Sequence, residues 1–203
     1  MDGRGRGGGA TAGVSLLELL VVLALLGILV QAGAASLVRW RGRQELEAAV
    51  RGAGLALQRA CALAVASGRI HGLWFEQAAG DPGGLGWRLV ADGDGDGILS
   101  ADVAAGIDVP LEPTQRLSSL HPGIVAGLPA GVPTLHGGAV GSGGVAFGAS
   151  PAVSCSPSGG ARSGTLYLAS REGGAAALRV YGPTGRISRW WWDSALGAWV
   201  ELG

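Results

Sequence analysis

The sequence predicts an α+β fold: a long N-terminal α-helix packed on a mostly antiparallel β-sheet body. Three observations predict it. From Leu16 to Val38 the only strongly polar side chains are Glu18 and Gln31. Its helical spacing then continues, with one polar face, as far as Ser67. Beyond Gly68 the pattern shortens to runs of strand length, punctuated by glycine-rich turns. A chain of 203 residues has room for a membrane helix and one body domain with its own core.

Residues 1–13, MDGRGRGGGATAG, read as a leader carrying Arg4 and Arg6. Residues 14–38 qualify as a transmembrane or filament-core segment, because roughly 20 apolar residues cross the hydrocarbon layer as a helix. Glu18 is out of place there: a charge at the centre of a membrane helix costs about 2.5–3.5 kcal/mol on insertion scales. Two processing schemes compete. In a secretory signal peptide, Arg4 and Arg6 form the charged region, Leu16 to Val30 the apolar one, and Ala32-Gly33-Ala34 the cleavage site; the helix is discarded and Glu18 serves no purpose. Cleavage after Gly13 instead keeps the helix and makes Glu18 the fifth residue of the mature chain. A glutamate snorkelling to the interface is the plain alternative for Glu18 itself.

Residues 39–68 continue the helix. After Arg39, Arg41 and Arg43, a stripe of Leu46, Val50, Ala53, Leu57, Ala60 or Cys61, and Ala64 recurs at spacings of three and four, which marks an amphipathic helix lying on a globular body. Gly68 is the stop. From Val14 to Ser67 the helix has 54 residues, about 80 Å at 1.5 Å per residue. That is too long for a compact domain of this size, and a helix half in lipid and half on a sheet accounts for it. Gly27, Gly33, Gly42, Gly52 and Gly54 weaken helix propensity and are expected to permit bending or local melting.

Residues 69–203 form the β-rich body. Arg69 to Glu76 and Leu85 to Ala91 read as strands around a turn-rich QAAGDPGG. A Gly/Pro-rich region runs from His121 to Gly144. A terminal meander follows, with strands at Thr165 to Ser170, Ala176 to Tyr181, Arg186 to Trp192 and Ala198 to Leu202.

Between these parts lies ADGDGDGILSAD. Asp92, Asp94 and Asp96 alternate as in a calcium loop, Gly97 stands at the sharp turn, Ile98 offers a carbonyl, and Asp102 sits one place before the twelfth position, Val103. From Glu76 to Glu112 eight acidic residues face the single Arg88, so a Ca²⁺ counter-ion would help. The competing reading is a solvated Asp/Gly turn. Cys61 and Cys155 are either a disulfide in an oxidising compartment or two separate small core residues; spacing does not choose.

The 15 basic residues, all arginine, balance 15 acidic ones, so net charge points to no nucleic-acid or acidic partner. His71, His121 and His136 lack zinc spacing, and neither a G-x-S-x-G elbow nor a phosphate loop occurs, so no enzyme is expected.

The junction Gly13-Val14-Ser15-Leu16-Leu17-Glu18-Leu19-Leu20-Val21-Val22 resembles the class III leader junction of type IV pilins and type II secretion pseudopilins, with Val14 where phenylalanine is commoner. The resemblance implies that a prepilin peptidase cuts after Gly13 and methylates the new N-terminus at Val14. It also implies that Glu18 pairs with the N-terminal amine of a neighbouring subunit. Gly86-Trp87, the Asp92 to Gly97 run, Ser158-Gly159, Gly164-Thr165-Leu166 and the stretch Val180 to Ile187 are similar to the GspH/FimT branch of pseudopilins. That branch implies a pilin-like fold and a minor subunit near the tip of a secretion pseudopilus or type IV pilus. Its partners would be other pilins and the inner-membrane assembly platform. Its location would be the inner membrane, single-pass, with the body in the periplasm, and afterwards the filament.

A second function class is DNA binding. Arg179, Arg186 and Arg189 lie on neighbouring strands beside Trp190, Trp191 and Trp192, and arginine next to exposed aromatics can hold phosphate while bases stack. Some minor pilins of this branch serve DNA uptake, with a second arginine two residues after the first. Here Arg186 and Arg189 are three apart, which in a strand turns them to opposite faces. Sheet packing of alternate tryptophans is the favoured alternative.

Overall fold

The computed structural model describes residues 15–77, 84–137, 140, 142–148 and 150–202. One helix, α1 (Leu16–Ser67), runs through two compact units, residues 1–38 and 39–203. In the first unit every described side chain from Leu16 to Val38 is exposed. In the second, Leu46, Val50, Ala53, Leu57, Ala60 and Ala64 are all buried, joined by Ala49 on the same face. Gly68, at φ 68°, ends the helix in the left-handed region that glycine enters without a steric penalty.

The body has two antiparallel sheets among the described residues rather than the single sheet that the sequence suggests. The first is built on the hairpin of β1 (His71–Gln77) and β2 (Leu85–Ala91), which pair from His71↔Ala91 to Gln77↔Leu85. Beyond Ala91 come the short helix α2 (Ser100–Ala105) and two edge pieces on β2, β3 (Val109–Pro110) and β4 (Gln115–Arg116). A turn of helix, α3 (Leu117–Leu120), leads to β5 (Ile124–Ala126), and then to β6 (Val145–Ala146) and β7 (Ala152–Cys155), the last pairing with β1. The second sheet is the meander β8 (Gly164–Ser170), β9 (Ala175–Tyr181), β10 (Arg186–Asp193) and β11 (Ala198–Leu202), with β5 and β6 both on β8.

One hydrophobic core joins all three layers. The α1 stripe meets Leu73, Phe75, Trp87 and Leu89 of the first sheet and Leu166, Leu168, Leu178 and Val180 of the second. The alanines of the stripe keep the helix close to both. Gly42 does so most sharply: a Cβ there would stand 2.8 Å from Ser170 Oγ and 2.9 Å from Glu172 Cβ. This glycine permits close packing, and the helix is continuous through it.

A disulfide joins Cys61 on α1 to Cys155 at the end of β7, with Cα atoms 4.9 Å apart. It selects the paired alternative for the two cysteines. Beside it His71, opposite Cys155 in the β1–β7 register, is buried with Nδ1 3.1 Å from the Arg69 carbonyl, a packing role at the helix-to-strand corner.

The two cysteines are 94 residues apart. Chain entropy therefore predicts that Cys61→Ser with Cys155→Ser lowers stability by about 4–5 kcal/mol. Denaturant melts of the oxidised protein and the double variant check this. Leu57→Ala, which empties the middle of the stripe, is expected to cost about 2–5 kcal/mol by the same measurement.

Candidate functional site

The N-terminal end of α1 is capped by its own sequence. Ser15 Oγ accepts the Glu18 N–H at 3.1 Å, and the Ser15 carbonyl accepts the Leu19 N–H at 3.1 Å. Ser15 is thus the N-cap and Glu18 the third helical residue, the S-x-x-E order of a capping box, which the sequence signals directly but which was missed beside the charge puzzle. A carboxylate in the first turn also faces the positive end of the helix dipole. Gly13 and Val14 lie outside the described residues.

The loop after β2 is organised by two buried aspartates. Asp92 turns both oxygens on the backbone: Oδ1 accepts the N–H groups of Asp94 (3.2 Å) and Gly95 (2.7 Å), and Oδ2 that of Gly97 (3.0 Å). Asp108, fully buried, accepts the N–H of Gly93 through Oδ1 and of Leu99 through Oδ2, both at 3.1 Å. Sequence reasoning missed Asp108, since it stands outside the alternating run. Arg69 adds a clamp from the other side, donating to the carbonyls of Asp92 (2.8 Å) and Gly93 (3.3 Å).

The carboxylates of Asp92, Asp94 and Asp96 bring ligand oxygens within 4.8 Å of one another. Calcium bonds oxygens at about 2.3–2.6 Å, so oxygens on one ion lie within about 5 Å, and the three fit. Partial desolvation and then the negative charge of Asp94 push the Asp96 carboxyl above its ordinary pKa, with Asp102 and Asp92 adding to the effect. Desolvation, then Asp94, Asp108 and Asp92, do the same to Asp102. Asp102 therefore belongs to the same electrostatic cluster, and a divalent cation opposes each of these repulsions.

The loop departs from a full calcium-binding helix-loop-helix at its far end. Val103 stands at the twelfth position and packs with Ile98 on Val90 and Ala152, so hydrophobic anchoring replaces the bidentate glutamate. Ile98 fixes the loop through its side chain; a calcium role for its carbonyl is an expectation of the sequence.

The Arg/Trp region does not assemble as one patch. Strand alternation puts Arg186, Ser188, Trp190 and Trp192 on one face of β10, and Arg189 and Trp191 on the other. On the helix side Trp191 packs against the core, and Arg189 lines a cleft of about 270 Å³ with Arg51, Gln58 and Leu178. On the outer face Arg179 and Arg186 stand over the Tyr181 ring at 4.8 and 5.5 Å, and Arg186 pairs with Glu201 at 2.5 Å. The segment carrying Pro133, Leu135 and His136 packs on this face. The Trp199 indole donates to the Pro133 carbonyl (2.9 Å), the Leu135 N–H donates to Tyr167 Oη (3.0 Å), and desolvation followed by the Arg179 charge lowers the His136 pKa. Two arginines are thus engaged with aromatic and acidic neighbours, and the third faces away from them.

If the aspartate loop holds Ca²⁺, millimolar calcium raises the melting temperature of the protein over its value in chelator, because a ligand bound only by the folded state stabilises it. The gain should vanish in Asp94→Ala, whose side chain serves the cluster but caps little of the loop. Identical melting in calcium and chelator leaves a hydrogen-bonded turn.

No protein-family model, curated protein or solved structure matches the chain, so its function is argued from its own chemistry.

Proposed function

We propose that this chain is a pilin-like subunit: a single-pass inner-membrane protein, cut after Gly13 by a prepilin peptidase, methylated at Val14, and assembled into a type II secretion pseudopilus or a type IV pilus. The observation that carries this reading is the change of environment along α1. Its first part is long and apolar enough to cross a membrane and its described side chains are all exposed, whereas its second part buries a stripe in the core of the body. Each large apolar side chain left in water forgoes about 1.5–3 kcal/mol, so the exposed part calls for lipid or neighbouring helices around it. A filament subunit uses both in turn, lipid before assembly and neighbouring helices after it.

Two features support the rest. The Cys61–Cys155 disulfide suits an oxidising compartment, hence a body outside the cytoplasm. Glu18 sits in the first turn of the helix, where the amine of a neighbouring mature chain would meet a carboxylate in a medium of low dielectric constant. The role is assembly, not catalysis. The Arg/Trp region, divided between two faces, favours sheet packing over DNA uptake.

Co-expression with a prepilin peptidase should yield a chain that begins at Val14, and Gly13→Ala should block the cut; a start near Ala35 by N-terminal mass spectrometry would mean a discarded signal peptide. Glu18→Gln should be inserted and processed, yet enter filaments about tenfold less or worse. Breaking one side of a buried charge pair costs about 2–5 kcal/mol, and about 1.4 kcal/mol is a factor of ten. Crosslinking to the major subunit in sheared filaments measures this, and wild-type incorporation would reduce Glu18 to a helix cap.

A further inference from the structure

Three arginines, Arg39, Arg41 and Arg43, directly follow the apolar run in the chain. Basic residues ordinarily concentrate on the cytoplasmic flank of a membrane helix. On the reading proposed above these three lie on the opposite flank, so they call for a local reason. The body supplies one. Arg39 and Arg43, one helical turn apart, line a cleft of about 450 Å³ closed by Trp191, Trp192, Val200 and Leu202. The volume falls in the range of small-molecule sites. The Arg43 guanidinium stands 6.0 Å from the centre of the Trp191 ring, and Val200 and Leu202 present exposed apolar surface from the edge strand β11. Trp40, between the arginines, is also exposed. The acidic group in the cleft, Asp193, is turned to its own hairpin, where Oδ1 accepts the N–H groups of Ala195 (2.8 Å) and Leu196 (3.1 Å).

We propose that this cleft docks the headgroup of an anionic phospholipid, its phosphodiester on Arg39 and Arg43 and the glycerol end of its acyl chains on Trp191, Val200 and Leu202. Two observations select this occupant. The lining combines the guanidinium groups of Arg39 and Arg43 with the apolar side chains of Trp191, Val200 and Leu202, complementary to a phosphate carried on a hydrocarbon stem. The position follows from the chain: Arg39 comes directly after Val38 and Arg43 four residues later, so covalent connection alone keeps both arginines close to the end of the apolar run. Tryptophan and arginine are side chains that favour the headgroup layer. The docked lipid would hold the subunit at the bilayer surface until it is drawn into a filament. The proposal rests on the membrane reading of α1, and its test separates the two.

The full-length protein is reconstituted in phosphatidylcholine nanodiscs that contain phosphatidylglycerol, with a photoactivatable group on the headgroup of one lipid or the other. Crosslinks are mapped to residues 39–46 and 189–202. The expected result is preferential labelling of these segments by phosphatidylglycerol, reduced about fivefold for each guanidinium lost in Arg39→Gln with Arg43→Gln, as expected for a charge near an anionic surface. The Arg39→Lys, Arg43→Lys variant should retain most of it. All variants must keep the disulfide and the wild-type circular dichroism. Equal labelling by both lipids, or undiminished labelling of the glutamine variant, overturns the headgroup site while leaving the span intact. Displacement by inorganic phosphate overturns the lipid as the source of the anion. Protein–protein crosslinks at these segments in place of lipid assign the cleft to a second copy. Failure of the wild-type chain to float with the discs overturns the site together with the membrane reading.

Discussion

The burial of one helical stripe, Leu46 to Ala64, holds this body together. The main core joins that stripe to side chains of both sheets, while a smaller cluster of Val90, Ile98 and Ala152 packs the aspartate loop on the first sheet. Alanine and glycine on that stripe set the spacing. Ala49, Ala53, Ala60 and Ala64 let the strands approach the helix, and Gly42 lets its first turn in the body touch Ser170 and Glu172. A larger residue at any of these positions would have to push its neighbours aside, because close-packed interiors transmit strain instead of absorbing it. The disulfide at Cys61 secures the far end of the same contact.

Much of this was legible in the sequence, and the reason is periodicity. The stripe of α1, its stop at Gly68, the β1–β2 hairpin and the C-terminal meander all follow from apolar spacing and glycine turns. The pieces that escaped are short. β3, β4, β5 and β6 have only two or three residues each, too few to show alternation, and they exist because the long strands β2 and β8 offer them free edges. The division into two sheets escaped for a related reason, since no local pattern tells a strand which neighbour it will find. At the candidate sites the loop carboxylates and the opposite facing of Arg186 and Arg189 were readable from spacing. Asp108 was not, because its role is to receive two backbone N–H groups that only the folded loop brings to it.

Charge in this neutral chain is therefore sorted by position. The acidic excess gathers in one loop, where buried Asp92 and Asp108 are satisfied by backbone donors while Asp94 and Asp96 face solvent. The arginines spread out, some at the start of the body and others on either side of the meander. Arginine suits such scattered duty, since its planar group rests on rings, as at Tyr181 and Trp191, and still donates from its edge.

The disulfide also decides how the body would carry a mechanical load. If tension entered along α1 and left through the C-terminal strands, it would pass from Cys61 straight to Cys155 and on into the meander. The 94-residue separation between them, with the hairpin and the aspartate loop inside it, would stay out of the force path. Fully extended, that stretch would span about 310–340 Å at 3.3–3.6 Å per residue, none of which could be paid out while the bond is closed. Oxidation therefore makes the body short under traction: a pulled subunit yields only what lies outside the bridge.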